Sequence, residues 1–147
     1  MLPRLPRLLV LFLALAGTSA ARSDMLAVSA RVMTRTVLQV RDMPESLTVT
    51  ERDVGRGWVE AAAPTSIAVR SNHLQGVMLI LSTRGREVQA ARAEGLGAPV
   101  QFGPAGGSVL VPADGHGAVV SLRFRLYLDP ATTAGVYPWP VQVAAGT

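Results

Sequence analysis

From Ala118 to Leu128 the chain reads AVVSLRFRLYL, and its side chains alternate between two faces almost without a break. Ala118, Val120, Leu122, Phe124, Leu126 and Leu128 point one way. Ser121, Arg123, Arg125, Tyr127 and then Asp129 point the other. A period of two belongs to a β-strand with one buried face, and on a helix the same residues would wrap around every side. Phe124 is therefore expected in a core and Arg125 toward solvent. A strand of this length needs neighbours, and the rest of the chain supplies them.

Shorter runs with strand character recur along the sequence: TVLQV, SLTVT, GWVEAAA (closed by Pro64), TSIAVRS, GVMLILS, PVQF, SVLVP and GVYPWPVQVAA. GVMLILS is nearly continuous in apolar residues, as in a strand covered on both faces. REVQAAR reads as either one helical turn or a strand. Turn signals separate these runs at roughly ten-residue intervals: DMPES, DVGRG, SNHLQG, TRGRE, GPAGG, ADGHG and DPATTAG. No stretch of useful length after the N-terminus shows a helical period. Many short strands at this spacing predict an all-β, mostly antiparallel sandwich or barrel in one domain.

The N-terminus has the layout of a secretory signal peptide. Arg4 and Arg7 precede the short apolar run Leu8 to Ala16, and Thr18-Ser19-Ala20 offers small residues to a signal peptidase. A membrane-spanning helix needs roughly 20 apolar residues, so the run reads as a cleaved leader over 1–20 and leaves no membrane anchor. The mature domain is then 21–147, which is long enough to bury roughly two thirds of its surface without a disulfide or metal. No cysteine occurs, which rules out thiol catalysis and zinc–thiolate sites.

Fourteen basic residues, all arginine, stand against ten acids in the whole chain, for a formal net charge of +4. Two of these arginines lie in the leader. The remainder are scattered, and pairs such as Arg84/Arg86 and Arg123/Arg125 are too small for a nucleic-acid footprint. No nucleic-acid partner is expected.

Catalytic chemistry has no visible carrier. His73 and His116 each sit in a glycine-bearing turn, without the converging ligands that a metal requires. Ser108 lacks the G-x-S-x-G elbow of a hydrolase and reads as a strand residue. Glu51 and Asp53 in TERDVGRG read as a solvated turn. Gly95 to Val100 lacks the third glycine of a dinucleotide loop. No catalytic, metal or cofactor residue is assigned, and a non-enzymatic protein without a cofactor is expected.

Two prolines flank Trp139 immediately before the last alternating run. Successive N–H groups of a strand point to opposite edges, so Pro138 and Pro140 remove donors from the same edge. The strand is expected to pair on one side only there, with the other side an open edge or the start of a ladder. Tyr137, in the Gly-x-Tyr turn ahead of it, is expected to bury its ring and bond its hydroxyl to nearby backbone, as in a tyrosine corner.

The combination TSIAVRSNHLQGVMLIL and VVSLRFRLYLDPATTAGVYPWPVQV, spanning roughly Thr65 to Val143, resembles bacterial secreted pilin-like proteins of the spore-coat-protein-U-like and small fimbrial group. The resemblance implies an immunoglobulin-like β-sandwich with an incomplete strand set, completed by the N-terminal extension of a partner. Its implied partners are other copies or pilin-like subunits and a periplasmic chaperone. Its implied location is the periplasm or the bacterial cell surface. In MLAVSARV, the residues Leu26, Val28, Ala30 and Val32 share one face and match such a donor strand within 21–33. They fit the first strand of a complete sandwich equally well. The chain departs from the family in lacking a cysteine pair and an aromatic-ended last strand. The alternative to a fibre subunit is a monomeric periplasmic binding protein for a protein partner or a small ligand.

Overall fold

The computed structural model describes residues 33–112 and 116–146. The leader and the stretch holding Leu26, Val28, Ala30 and Val32 lie outside the described residues. The described residues are all-β apart from one short helix. In order, the elements are β1 (Thr36–Arg41), β2 (Ser46–Val49), α1 (Glu51–Arg56), β3 (Trp58–Glu60), β4 (Thr65–Ser71), β5 (Val77–Thr83), β6 (Val88–Glu94), β7 (Val100–Phe102), β8 (Gly107–Val111), β9 (Ala118–Leu128), β10 (Gly135–Pro138) and β11 (Val141–Ala145). Every described pairing is antiparallel.

One sheet runs β1-β4-β9-β6-β7, and β3 also pairs with β9. A second sheet runs β11-β5-β8, and β10 pairs with β2. Strand β9 organises the larger sheet. It takes β6 along one edge, while β4 and β3 follow each other along the opposite one. Its inward residues Leu122, Phe124, Leu126 and Leu128 join one core cluster with Ile67 and Val69 of β4, Leu79 and Leu81 of β5, and Val141 of β11. Hydrophobic burial on that shared inner side is what holds the sheets together. The alternation in the sequence places these side chains correctly, with Arg123 and Ser121 on the outside.

Four local readings are settled or changed. REVQAAR becomes strand β6, with a bulge between Val88 and Ala90. The TERDVGRG segment is not a simple turn: Thr50 caps helix α1, with the Thr50 hydroxyl accepting from the Asp53 N–H and the Asp53 carboxylate accepting from the Thr50 N–H. The T-x-x-D spacing before Gly57, which closes the helix at φ 78°, was the available signal. Strand β5 is covered on one face only: Met78 and Ile80 remain 42% and 41% exposed. Its apolar run therefore does not mean two-sided cover within the described residues.

The fourth concerns the double proline. GVYPWPVQVAA is two strands with different partners. The Trp139 N–H donates to the Glu45 carbonyl, extending the β10–β2 pairing, whereas the Pro140 carbonyl accepts from Arg84 at the end of β5. Because these groups leave the chain on opposite sides, the strand changes sheets at Trp139–Pro140. Pro138 and Pro140 sit where a continuous two-sided ladder would be wrong, and their missing donors leave no orphan there.

Tyr137 packs against the core cluster, and its hydroxyl donates to the Thr133 carbonyl at 2.7 Å. This ties the turn before β10 to the strand that leaves it. Tyr137→Phe should lose about 1 kcal/mol in a urea titration, the typical worth of one such bond. Unchanged stability would mean that water replaces the bond without loss.

Candidate functional site

The residues that carried possible chemistry in the sequence are not gathered. His73 is exposed, and its Nδ1 accepts from the Gln75 N–H at 3.3 Å. His116 lies just ahead of β9, on the other side of the core from Ser108, an exposed β8 residue opposite Ile80. Among the described residues, no three His, Cys, Asp or Glu side chains come together to hold a metal.

Glu51 is exposed, while Asp53 is only 7% exposed and is committed to the helix cap. Besides the Thr50 N–H, the Asp53 carboxylate accepts from the Thr50 hydroxyl at 2.6 Å and pairs with Arg56. The Thr50 side chain and backbone bonds, with Arg56 adding to them, hold the Asp53 carboxyl below its ordinary value of 3.8. A depressed carboxylate contributes stability above its unfolded pKa, and that contribution is lost as pH falls through the folded value. Asp53→Asn should therefore cost about 1 kcal/mol near neutral pH. The gap from the parent should narrow once pH drops below the ordinary carboxylate range. Melting curves from neutral to strongly acidic pH would check this, and a gap independent of pH would assign the effect to shape rather than charge.

Two surfaces stand out among the described residues. One is the outer side of the β11-β5-β8 sheet. There Met78 and Ile80 of β5 adjoin Leu110 of β8, opposite Met78, and Ala144 of β11, opposite Ile80. Leu110 is 54% exposed. Neither the far edge of β8 nor that of β11 is paired with a further strand among the described residues.

The other is the outer side of the larger sheet. Trp58 of β3 lies opposite Tyr127, and Glu60 lies opposite Arg125. The Arg125 guanidinium sits 4.5 Å from the centre of the Trp58 ring, and that of Arg56 sits 4.2 Å from it. Arg125 also donates to Glu60 through Nε at 3.2 Å and Nη2 at 2.6 Å. The Glu60 hydrogen bond raises the Arg125 pKa further and keeps it a fixed cation. Next to it on the sheet, Arg92 lies opposite Arg125 and pairs with Glu94 at 3.2 Å. A cavity of about 250 Å³ opens beside these groups, lined by Glu60, Glu94, Arg123, Arg125 and the loop Ala61 to Pro64.

Arginines far apart in sequence share this outer side. Arg35, Arg41, Arg70, Arg92, Arg123 and Arg125 lie on it with two carboxylates, Glu60 and Glu94. Arg56, over Trp58, reaches the same side but is paired with Asp53, and the remaining described charges are Arg52, Arg84 and Arg86 against Asp42, Glu45, Glu51, Glu87 and Asp129. Among the described residues, one side is thus net positive and the rest net negative. Position parity along each strand was the only sequence signal for this, and it needs the strand order before it says anything.

Compared with models of protein families, with curated proteins and with solved structures, the chain matches none.

Proposed function

We propose that this chain is an exported, non-catalytic structural or adhesion subunit of the pilin-like kind. In this reading it is an immunoglobulin-like β-sandwich that assembles with copies of itself or related subunits by β-strand donation, after delivery by a periplasmic chaperone. The observation that carries the reading is the narrow β11-β5-β8 sheet. Its outer side keeps Met78, Ile80 and Leu110 substantially exposed, and both its outer edges lack a paired strand among the described residues. Exposed apolar strands with open edges invite strand addition, where the main chain supplies the ladder and alternate side chains supply specificity. The Tyr137–Thr133 bond supports the immunoglobulin-like assignment, since a tyrosine tied to upstream backbone marks a corner of such sandwiches. The Arg-flanked apolar run at the N-terminus supports export.

A second reading, a monomeric exported binding module, is favoured by an open groove of about 560 Å³ across β1, β4 and β9. Deleting Met25 to Val32 separates the two. A donated strand has no place in its own subunit, so the truncated protein should melt close to the parent yet lose self-association in sedimentation. A monomeric parent whose truncation unfolds would reject strand donation and leave the binding module. Intact mass of the exported protein should show that Met1 and the leader are gone.

A further inference from the structure

We infer that the outer face of the β1-β4-β9-β6 sheet binds an acidic polysaccharide, a chain of sugars bearing repeated carboxylates. The inference stands apart from the strand-donation reading, because it uses the opposite sheet. Its first support is the groove across β1, β4 and β9. Arg35, Val37, Gln39 and Arg41 form one wall, and Ala68 and Arg70 of β4 lie beside them. Arg70 is opposite Val37, and Ala68 lies between Gln39 and Val119. No carboxylate is among the described residues lining the groove. Arg35, just ahead of β1, and Arg41 at its end stand six residues apart, roughly 20 Å along an extended chain, which is the reach of several sugar units rather than of one small anion.

The second support is the smaller cavity on the same face. Ser66 and Ser121, paired across β4 and β9, lie between the two hollows. At the cavity, Arg123 makes no hydrogen bond or ion pair among the described residues. Arg125 is held in place by Glu60 and Trp58. An unpaired guanidinium presents a planar fork that matches a carboxylate bidentately. Glu60 and Glu94 supply acceptors beside it. Sugar hydroxyls can donate to such acceptors, whereas a phosphodiester has no proton to donate to them.

That mixture selects the polymer. A single-stranded nucleic acid would want exposed rings on which bases stack, but Trp58 already carries the guanidiniums of Arg56 and Arg125. A neutral glycan would have no use for three guanidiniums in a groove with no acid among its described lining residues. A polyuronate uses both: its carboxylates meet the arginines and its hydroxyls meet Glu60, Glu94 and the serines.

The test titrates the purified protein with polygalacturonate, dextran and duplex DNA by calorimetry at low and moderate salt. Polygalacturonate should bind, more weakly as salt rises, because the contacts are screened charges. Arg41→Glu with Arg70→Glu should weaken binding by about tenfold or more. Arg84→Glu with Arg86→Glu changes net charge equally away from this face and should leave binding near that of the parent. Circular dichroism confirms that each variant is folded, and Arg123→Gln serves if the double variant is not. Absence of polygalacturonate binding, equal loss from both arginine pairs, or equal binding of dextran would overturn the proposal. Tighter binding of duplex DNA than of polygalacturonate at the same salt would overturn the choice of partner.

Discussion

Replacing Phe124 with alanine should destabilise the protein by about 3–5 kcal/mol, the range for removing a large buried aromatic side chain. Phe124 is only 2% exposed and heads the largest fully buried side chains. Its ring meets Phe102 of β7 edge-on at 6.3 Å and Trp139, at the sheet switch, at 6.1 Å. Alanine would leave a void in contact with both sheets and remove two edge-to-face contacts, which add to the transfer term. The neighbours are strand residues already in register, so the cavity cannot collapse without shifting β9. Arg125→Ala, one position along, should leave the urea midpoint close to that of the parent, since a solvent-facing ion pair contributes little. Similar losses from the two variants would mean that the inner and outer faces of β9 are assigned the wrong way round.

Gly95→Ala should cost about 2–4 kcal/mol, from backbone strain and overpacking together. Gly95 follows β6 with φ at 116°, where an L side chain is strained, and a Cβ there would come 2.0 Å from the Ser121 carbonyl oxygen. The obstacle is the backbone of β9, not the end of a flexible side chain, so relief requires moving the strand that carries β4, β3 and β6. Gly97 is the control. It also has a positive φ, 86°, but a Cβ would meet nothing within 4 Å. Gly97→Ala should therefore show the conformational penalty alone, about 1 kcal/mol. Thermal melts of the two variants isolate the contact with Ser121, and equal shifts would show that β9 gives way freely.

The polar pattern of a strand is local, which is why β9 could be read residue by residue before any partner was known. Leu122, Phe124 and Leu126 are inward because a period of two permits no other half-buried arrangement. The same logic found β2, β4 and β8. It stalled at REVQAAR, where Ala90 and Ala91 are small enough to suit either period and the bulge after Val88 breaks the alternation. It missed α1 because a helix of six residues is too short for an apolar stripe, leaving only its cap chemistry at Thr50 and Asp53 as a trace.

Alternation, turn residues and the prolines at 138 and 140 thus determined by themselves that the chain is a set of antiparallel strands, which side of the long strand β9 is buried, and that one edge lacks N–H donors near Trp139. Which strands are neighbours was decided only in three dimensions. Strand partners come from contacts between segments distant in sequence, and no local preference encodes them. The switch of GVYPWPVQVAA from β2 to β5, the exposure of Met78 and Ile80, and the gathering of Arg41, Arg70, Arg123 and Arg125 on one face all depend on that pairing. A charge pattern that looks scattered along the chain becomes a surface only when the sheet order lays its strands side by side.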